Sequence, residues 1–145
     1  MTVLADTCID GTFEGWSGET LFPLCDGTLW IQADYSYQYT YAFRPRAIIA
    51  SSGGQYFLLV EGVDEPVPVL PVTNFVRSCI DGNFEGWDGD TIFPLCNGQV
   101  WQQSAFAFHF HFAFRPAVIV YASPFGGFRL KVDGVDQTIR VIRIR

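Results

Sequence analysis

The stretch CIDGTFEGWSGETLFPLCDGTLWIQ, Cys8 to Gln32, returns 71 residues later as CIDGNFEGWDGDTIFPLCNGQVWQQ, Cys79 to Gln103. The match runs on through AFRP, Ala42 to Pro45 against Ala113 to Pro116. It passes Gly53-Gly54 against Gly126-Gly127 and reaches VEGVD (Val60 to Asp64) against VDGVD (Val132 to Asp136). No other feature constrains the fold as strongly. A chain of 145 residues that repeats itself once builds one small unit twice. Each copy is near the lower size limit for an independent fold. The sequence therefore divides into residues 1–73 and 74–145, with the junction near Pro71 to Asn74.

Within each copy the punctuation is that of short strands. Thr12 to Trp16 and Thr20 to Leu24 flank Ser17-Gly18, replaced by Asp88-Gly89 in the second copy. A two-residue loop of this kind predicts a hairpin, because glycine takes the positive φ of a primed turn. Asp26-Gly27 and Asn97-Gly98 predict the next turn. A long alternating strand follows, Leu29 to Phe43, ended by Arg44-Pro45. Two strands flank Gly53-Gly54, and a last one covers Val67 to Val72. No stretch longer than a turn has helical apolar spacing. Five or six short strands in each copy predict a small antiparallel barrel.

FPLCDGTLWIQ (Phe22 to Gln32) and FPLCNGQVWQQ (Phe93 to Gln103) carry a resemblance. They are similar to the Phe-x-Leu-x-(Asn/Asp)-Gly-Gln-x-Trp-x-Gln hairpin of small bacterial SH3-like β-barrel proteins. The first copy departs from it at Thr28, where the second has Gln99. The resemblance implies an all-β fold class of two tandem SH3-like small antiparallel barrels, pseudo-twofold related. It implies no activity, since such barrels host unrelated functions.

After this hairpin come YSYQYTYAF (Tyr35 to Phe43) in the first copy and FAFHFHFAF (Phe106 to Phe114) in the second. Side chains alternate faces along a strand, so each segment gathers five large rings on one side. The other side carries Ser36, Gln38, Thr40 and Ala42, or Ala107, His109, His111 and Ala113. If the rings are core, each stabilises by about 2–3 kcal/mol. Five in line outrun the interior of so small a barrel, so part of each row should meet the other copy or another chain. The tyrosine hydroxyls tolerate water, so the second row should be the drier one. Tyr37 and Tyr39 then offer a platform for sugars or peptides.

Hydrophobic residues make up 49% and aromatics 17% of the chain, which excludes a disordered segment. The net charge of −6 argues against nucleic acid and against an anionic membrane surface as partners. The first copy holds nine acids and two bases, the second six acids and seven bases. Arg140, Arg143 and Arg145 gather at the end of the second copy. Opposite charge of this kind could draw copies together, or simply protect an edge strand. No apolar run reaches the length of a membrane span, and the first residues lack the pattern of a signal peptide. The expectation is a cytoplasmic chain with reduced thiols.

Three chemistries are open. His109 and His111, at i and i+2 on one face, could share a zinc or copper ion, with cysteine thiolates as further ligands. Otherwise they are polar residues on the non-core face, and no cofactor is bound. Asp10 with Glu14 and Asp81 with Glu85 could be acid–base pairs of an enzyme whose pocket lies between the repeats. Otherwise they serve turns and pair with Arg44 and Arg115. Trp16, Trp30, Gln32 and Arg44, with Trp87, Trp101, Gln103 and Arg115, form a recognition set of apolar surface and orienting polar groups, or a structural one. A two-residue loop at Ser17-Gly18 puts Cys25 opposite Asp10, leaving Cys8 a diagonal neighbour, usually too far for an unstrained disulfide unless twist or a bulge closes the gap. Buried small hydrophobes, a disulfide and half of a metal site are the three readings, and a cytoplasmic chain favours the first. The function these residues favour is a non-catalytic binding or assembly module. It would pair with itself as a homo-oligomer or with a protein, peptide or small ligand.

Overall fold

A computed structural model describes residues 1–145. The chain divides into two compact units, Met1–Thr73 and Asn74–Arg145. Both are built from strands without helix. The first holds β1 (Thr2–Cys8), β2 (Thr12–Phe13), β3 (Leu21–Pro23), β4 (Leu29–Gln32), β5 (Ala42–Phe43), β6 (Arg46–Ser52), β7 (Gln55–Val60) and β8 (Val67–Val72). Six of these make one antiparallel sheet in the order β1-β6-β7-β8-β4-β3, and β2 pairs with β5 in a separate ribbon.

The second unit holds β9 (Phe75–Cys79), β10 (Asn83–Trp87), β11 (Ile92–Pro94), β12 (Val100–Gln103), β13 (His109–Phe114), β14 (Ala117–Ala122), β15 (Phe128–Val132) and β16 (Thr138–Arg143). Its sheet runs β11-β12-β16-β15-β14-β9, the same order by equivalent strands, with β10 and β13 as the ribbon. β16 lies between β12 and β15, so the arginine-bearing strand is internal to its sheet rather than an edge.

Alternation sets what is buried. Leu58 and Val60 of β7 and Val67 and Val69 of β8 face one core with Ile9, Phe13, Trp16 and Phe22. Leu130, Val132, Ile139 and Val141 face the other, with Ile80, Phe84, Trp87 and Trp101. Gly53 and Gly54 form the turn between β6 and β7, where Ser52 pairs with Gln55 and both glycines have positive φ, 59° and 82°.

The hairpin expected at Ser17-Gly18 does not form. Thr12 to Trp16 turns away from Thr20 to Leu24, and β2 pairs with β5 instead. The physical reason lies inside the expected strand: Gly15 takes φ 89° and Gly86 φ 97°, which breaks the regular pleat there. The register of the cysteines changes with it. Ile9 bridges Leu24, and Ile80 bridges Leu95. Cys25 N–H then donates to Cys8 O at 2.8 Å, and Cys96 N–H to Cys79 O at 2.8 Å.

The cysteines are therefore direct neighbours, and Cys8–Cys25 and Cys79–Cys96 are disulfides with Cα atoms 5.3 Å apart. This corrects the expectation of four reduced, buried thiols and counts against the cytoplasmic assignment from which that expectation was drawn. In each unit the bridge and the disulfide tie together the two outermost strands of the sheet. No helix is long and apolar enough to cross a membrane.

Candidate functional site: two aromatic ribbons

The strand expected over Leu29 to Phe43 breaks after Gln32, as its counterpart does after Gln103. Both glutamines are buried, and each amide spends its bonds on turning the chain. Gln32 Oε1 accepts from Gly18 N–H at 2.7 Å, while its Nε2 donates to Asp34 Oδ1 at 2.8 Å and Ser36 O at 2.9 Å. Gln103 Oε1 accepts from Gly89 N–H at 2.8 Å and Thr91 N–H at 3.3 Å. Its Nε2 donates to Ala105 O and Ala107 O, both at 2.9 Å. The clamp lifts the following residues off the sheet and lays them against the Gly15 or Gly86 segment.

There the backbones touch. Trp16 N–H donates to Gln38 O at 2.8 Å, and Gln38 N–H returns the bond to Trp16 O at 2.9 Å. A Cβ on Gly15 would stand 1.8 Å from Gln38 O, and one on Gly86 1.9 Å from His109 O. Only glycine allows this approach. The closeness decides which face of the ribbon points inward. The cores already hold Phe13, Trp16 and Phe22, or Phe84, Trp87 and Phe93. Small or flat residues fit over them: Ala42 in the first unit, Ala107 and Ala113 in the second.

All ten large rings consequently point out. Tyr35, Tyr37, Tyr39, Tyr41 and Phe43 are 62–82% exposed, and Phe106, Phe108, Phe110, Phe112 and Phe114 are 62–94% exposed. The rings are not core, and the phenylalanine row is no drier than the tyrosine row.

The histidines lie on the inner face rather than the outer. His109 packs on Trp87, centroids 5.2 Å apart, and His111 on Phe84 at 6.3 Å. The two imidazoles stack on each other at 6.4 Å with planes 14° apart. No group of three or more His, Cys, Asp or Glu is placed to hold a metal ion. The thiolate ligands considered for zinc with His109 and His111 are consumed by the disulfides.

Trp16 and Trp87 are buried under their ribbons, and Trp16 Nε1–H donates to Ser36 Oγ at 3.2 Å. Trp30 and Trp101 sit on the main sheet instead, against Tyr56 and Phe128. Arg44 and Arg115 take φ 49° and 48° and pair with Asp10 (3.1 Å) and Asp81 (2.9 Å). Their guanidiniums lie over the disulfides, Arg115 Nη2 at 3.4 Å from Cys96 Sγ. The structure thus separates the expected recognition set: the glutamines and Trp16 and Trp87 underlie the ribbons, while the arginines cap the disulfides. None of the set stands on the exposed rows; Tyr37 and Tyr39, expected separately as a ligand platform, do. For the other eight rings the sequence pattern leaves core packing and contact with the other copy or another chain both open, and all eight stand exposed.

A shallow depression of about 400 Å³ lies beside the second ribbon, within that unit, walled by Glu85, Asp88, Thr91, Phe93, Phe108 and Phe110. In the first unit burial raises the Asp34 carboxyl. That effect is outweighed by hydrogen bonds from the Gln32 amide and from the Ser36 hydroxyl and N–H, which hold it below the ordinary carboxylate value. No family model, curated protein or solved structure matches the chain.

Proposed function

We propose that the chain is a non-catalytic binding and assembly module that works through its two exposed aromatic rows. In this reading the units are tandem SH3-like barrels related by a pseudo-twofold. The observation that carries it is the exposure of ten aromatic rings in line, five per unit, on ribbons whose backbones are fixed by a buried glutamine, a close-approach glycine and a nearby disulfide. Each row exposes roughly 700 Å² of ring surface if a full ring offers about 200 Å², which is near one partner's share of a standard protein interface. A rigid apolar row suits contact with a second copy of the chain, with a protein or peptide, or with a flat small ligand. The disulfides favour an oxidising compartment as the place of action.

The test combines sedimentation with peptide and glycan arrays on the wild type and two double variants, Tyr37→Ala/Tyr39→Ala and Phe108→Ala/Phe110→Ala. The reading expects at least one association of the wild type to be lost in one variant. It fails if every association survives in both, or if the wild type shows none.

A further inference from the structure

The second aromatic row reads the same in both directions. Phe106-Ala107-Phe108-His109-Phe110-His111-Phe112-Ala113-Phe114 is symmetric about Phe110. The first row is not: about Tyr39, Gln38 stands opposite Thr40 and Ser36 opposite Ala42. A strand that is its own mirror in sequence presents identical chemistry to an antiparallel copy of itself.

The second row also has an edge to offer. β13 pairs with β10 along one side and with no strand on the other. Arg115 N–H donates to Gly82 O on the β10 side at 2.8 Å. The register of the β10–β13 pair shifts between Phe84 and Gly86, but His109 O and His111 N both lie against Gly86 on the β10 side. Backbone groups alternate between the two edges of a strand, so those of Phe110, Phe112 and Phe114 turn to the unpaired side. Residues 106–108 precede β13 and join the strand on pairing. Nothing in residues 104–114 defends that edge, for the stretch has no proline and no Lys, Arg, Asp or Glu. The first unit differs here as well. Tyr39 O, on its equivalent edge, already accepts from Thr40 Oγ1 at 2.8 Å and Gln38 Nε2 at 3.3 Å.

We infer that β13 pairs antiparallel with β13 of a second copy, about a twofold axis at Phe110, to give a continuous ribbon β10-β13-β13-β10. This rests on the reading of the rows as assembly surfaces and names the partner of one of them. Phe110 meets Phe110 as a hydrogen-bonded pair, Phe108 meets Phe112, and His109 meets His111. The axis needs that hydrogen-bonding parity at Phe110, and the alternation supplies it. Ten phenylalanines then share one face in directly opposed pairs, a favourable cross-strand arrangement for aromatics. The contact is isologous, so it closes at two chains. Glu85 and Asp88 border the row on the β10 side, away from the axis, so their charges do not meet across it.

The test uses the full chain, with sedimentation equilibrium as readout and peptide mapping to check both disulfides. Wild type is expected to be a dimer at micromolar concentration. Phe108→Lys and Phe112→Glu should each weaken the dimer by about 30-fold or more, because each charge meets an apolar ring. In the combined variant, each lysine faces a glutamate of the second copy. Affinity should return to within about tenfold of wild type, since opposed charges directly across strands attract. Phe108 and Phe112 are both exposed, so folding is not at stake. Tyr39→Lys, the equivalent of Phe110→Lys in the first unit, should leave the dimer intact while Phe110→Lys abolishes it.

A dimer broken by Tyr39→Lys but not by Phe110→Lys overturns the inference and keeps the wider reading. So does a wild-type monomer whose array binding is lost in the Phe108→Ala/Phe110→Ala variant. Failure of the combined variant to recover overturns the register at Phe110. A wild-type monomer with no association of any kind overturns both.

Discussion

The two aromatic ribbons share a scaffold and differ in what they carry. Both have the buried glutamine, the glycine in close backbone contact and the disulfide beneath an Arg–Asp pair. On that scaffold the first unit sets tyrosines outward and Ser36, Gln38 and Thr40 inward. Those polar residues bond to Trp16, to Tyr39 O and to one another. The second sets phenylalanines outward, and stacks His109 and His111 on Trp87 and Phe84. One ribbon therefore satisfies the carbonyl at the centre of its edge, Tyr39 O, and keeps hydroxyls toward water, while the other puts alanines and imidazoles in place of those polar side chains and phenylalanines in place of the tyrosines. The difference teaches that duplication here preserved the mounting and changed the surface. If so, damage to the mounting should hurt both units alike, and differences should appear only where the inner and outer residues differ.

The sharpest way to break this comparison is at the glycines. Gly15→Ala and Gly86→Ala each push a methyl into a backbone carbonyl at a φ that L residues avoid. We expect a loss of about 4 kcal/mol or more in the affected unit, at the top of the range for single substitutions. Hydrogen exchange followed by mass spectrometry resolves the two units. Equal losses support a common mounting. A mild effect at either glycine would show that this ribbon is not held by backbone contact.

The disulfides come next. Both close loops of the same separation, 17 residues, so Cys8→Ala/Cys25→Ala and Cys79→Ala/Cys96→Ala should cost about 3 kcal/mol each in the denatured-chain entropy account. Denaturant titration of each variant, with the intact unit as internal reference, measures it. A difference above about 1 kcal/mol would mean that one unit leans on its bridge more than chain entropy explains.

How far the sequence reveals this arrangement depends on the kind of residue. The repeat, the Gly53-Gly54 turn and the strand Val67 to Val72 follow from local chemistry, and the strands form there. The cysteine pairing does not follow. It depends on one glycine inside an apparent strand, and Thr12 to Trp16 carries no sign that Gly15 will adopt φ 89°. The direction of the aromatic rows is illegible for a different reason. Five rings in line are too many for so small an interior, but the pattern does not say which of them face out, and only the closeness of backbones at Gly15 and Gly86 shows that no large side chain fits beneath. Gln32 and Gln103 look like orienting groups for a ligand because amides recur in binding sites. Their burial and their spent hydrogen bonds are properties of the folded turn, absent from any residue count.

Those glutamines supply the third prediction. Gln32→Leu and Gln103→Leu leave buried backbone groups without partners, at a cost of about 2 kcal/mol each. The effects should be local. Exchange should rise first at Gly89 and Thr91 in one case and at Gly18 in the other, whose N–H groups lose the amide oxygen they donate to, while the main sheets stay protected. Loss of protection across a whole sheet would show that the clamp supports the fold rather than the ribbon.

The smallest effect separates the units by pH. Asp34 occupies a place that the second unit fills with Ala105, and it accepts bonds from Gln32 and Ser36. Its folded carboxyl lies below the ordinary value of 3.8. A depressed carboxylate adds stability that is complete above the ordinary value and is lost as pH falls through the lower, folded one. Asp34 is partly open to solvent, so the contribution is only about a few tenths of a kcal/mol. The first ribbon should therefore lose a little protection relative to the second on acidification below pH 3.8, after correction for intrinsic exchange rates. Arg46 also depresses Asp6 in that unit, through a hydrogen bond and its charge, so the Asp34→Ala variant is needed to separate the two. In it the acid response of residues 35–43 should vanish, and any response left at β1 and β6 should remain. An unchanged response at residues 35–43 would assign it to the Asp6–Arg46 pair, and leave the tyrosine ribbon as indifferent to acid as the phenylalanine ribbon.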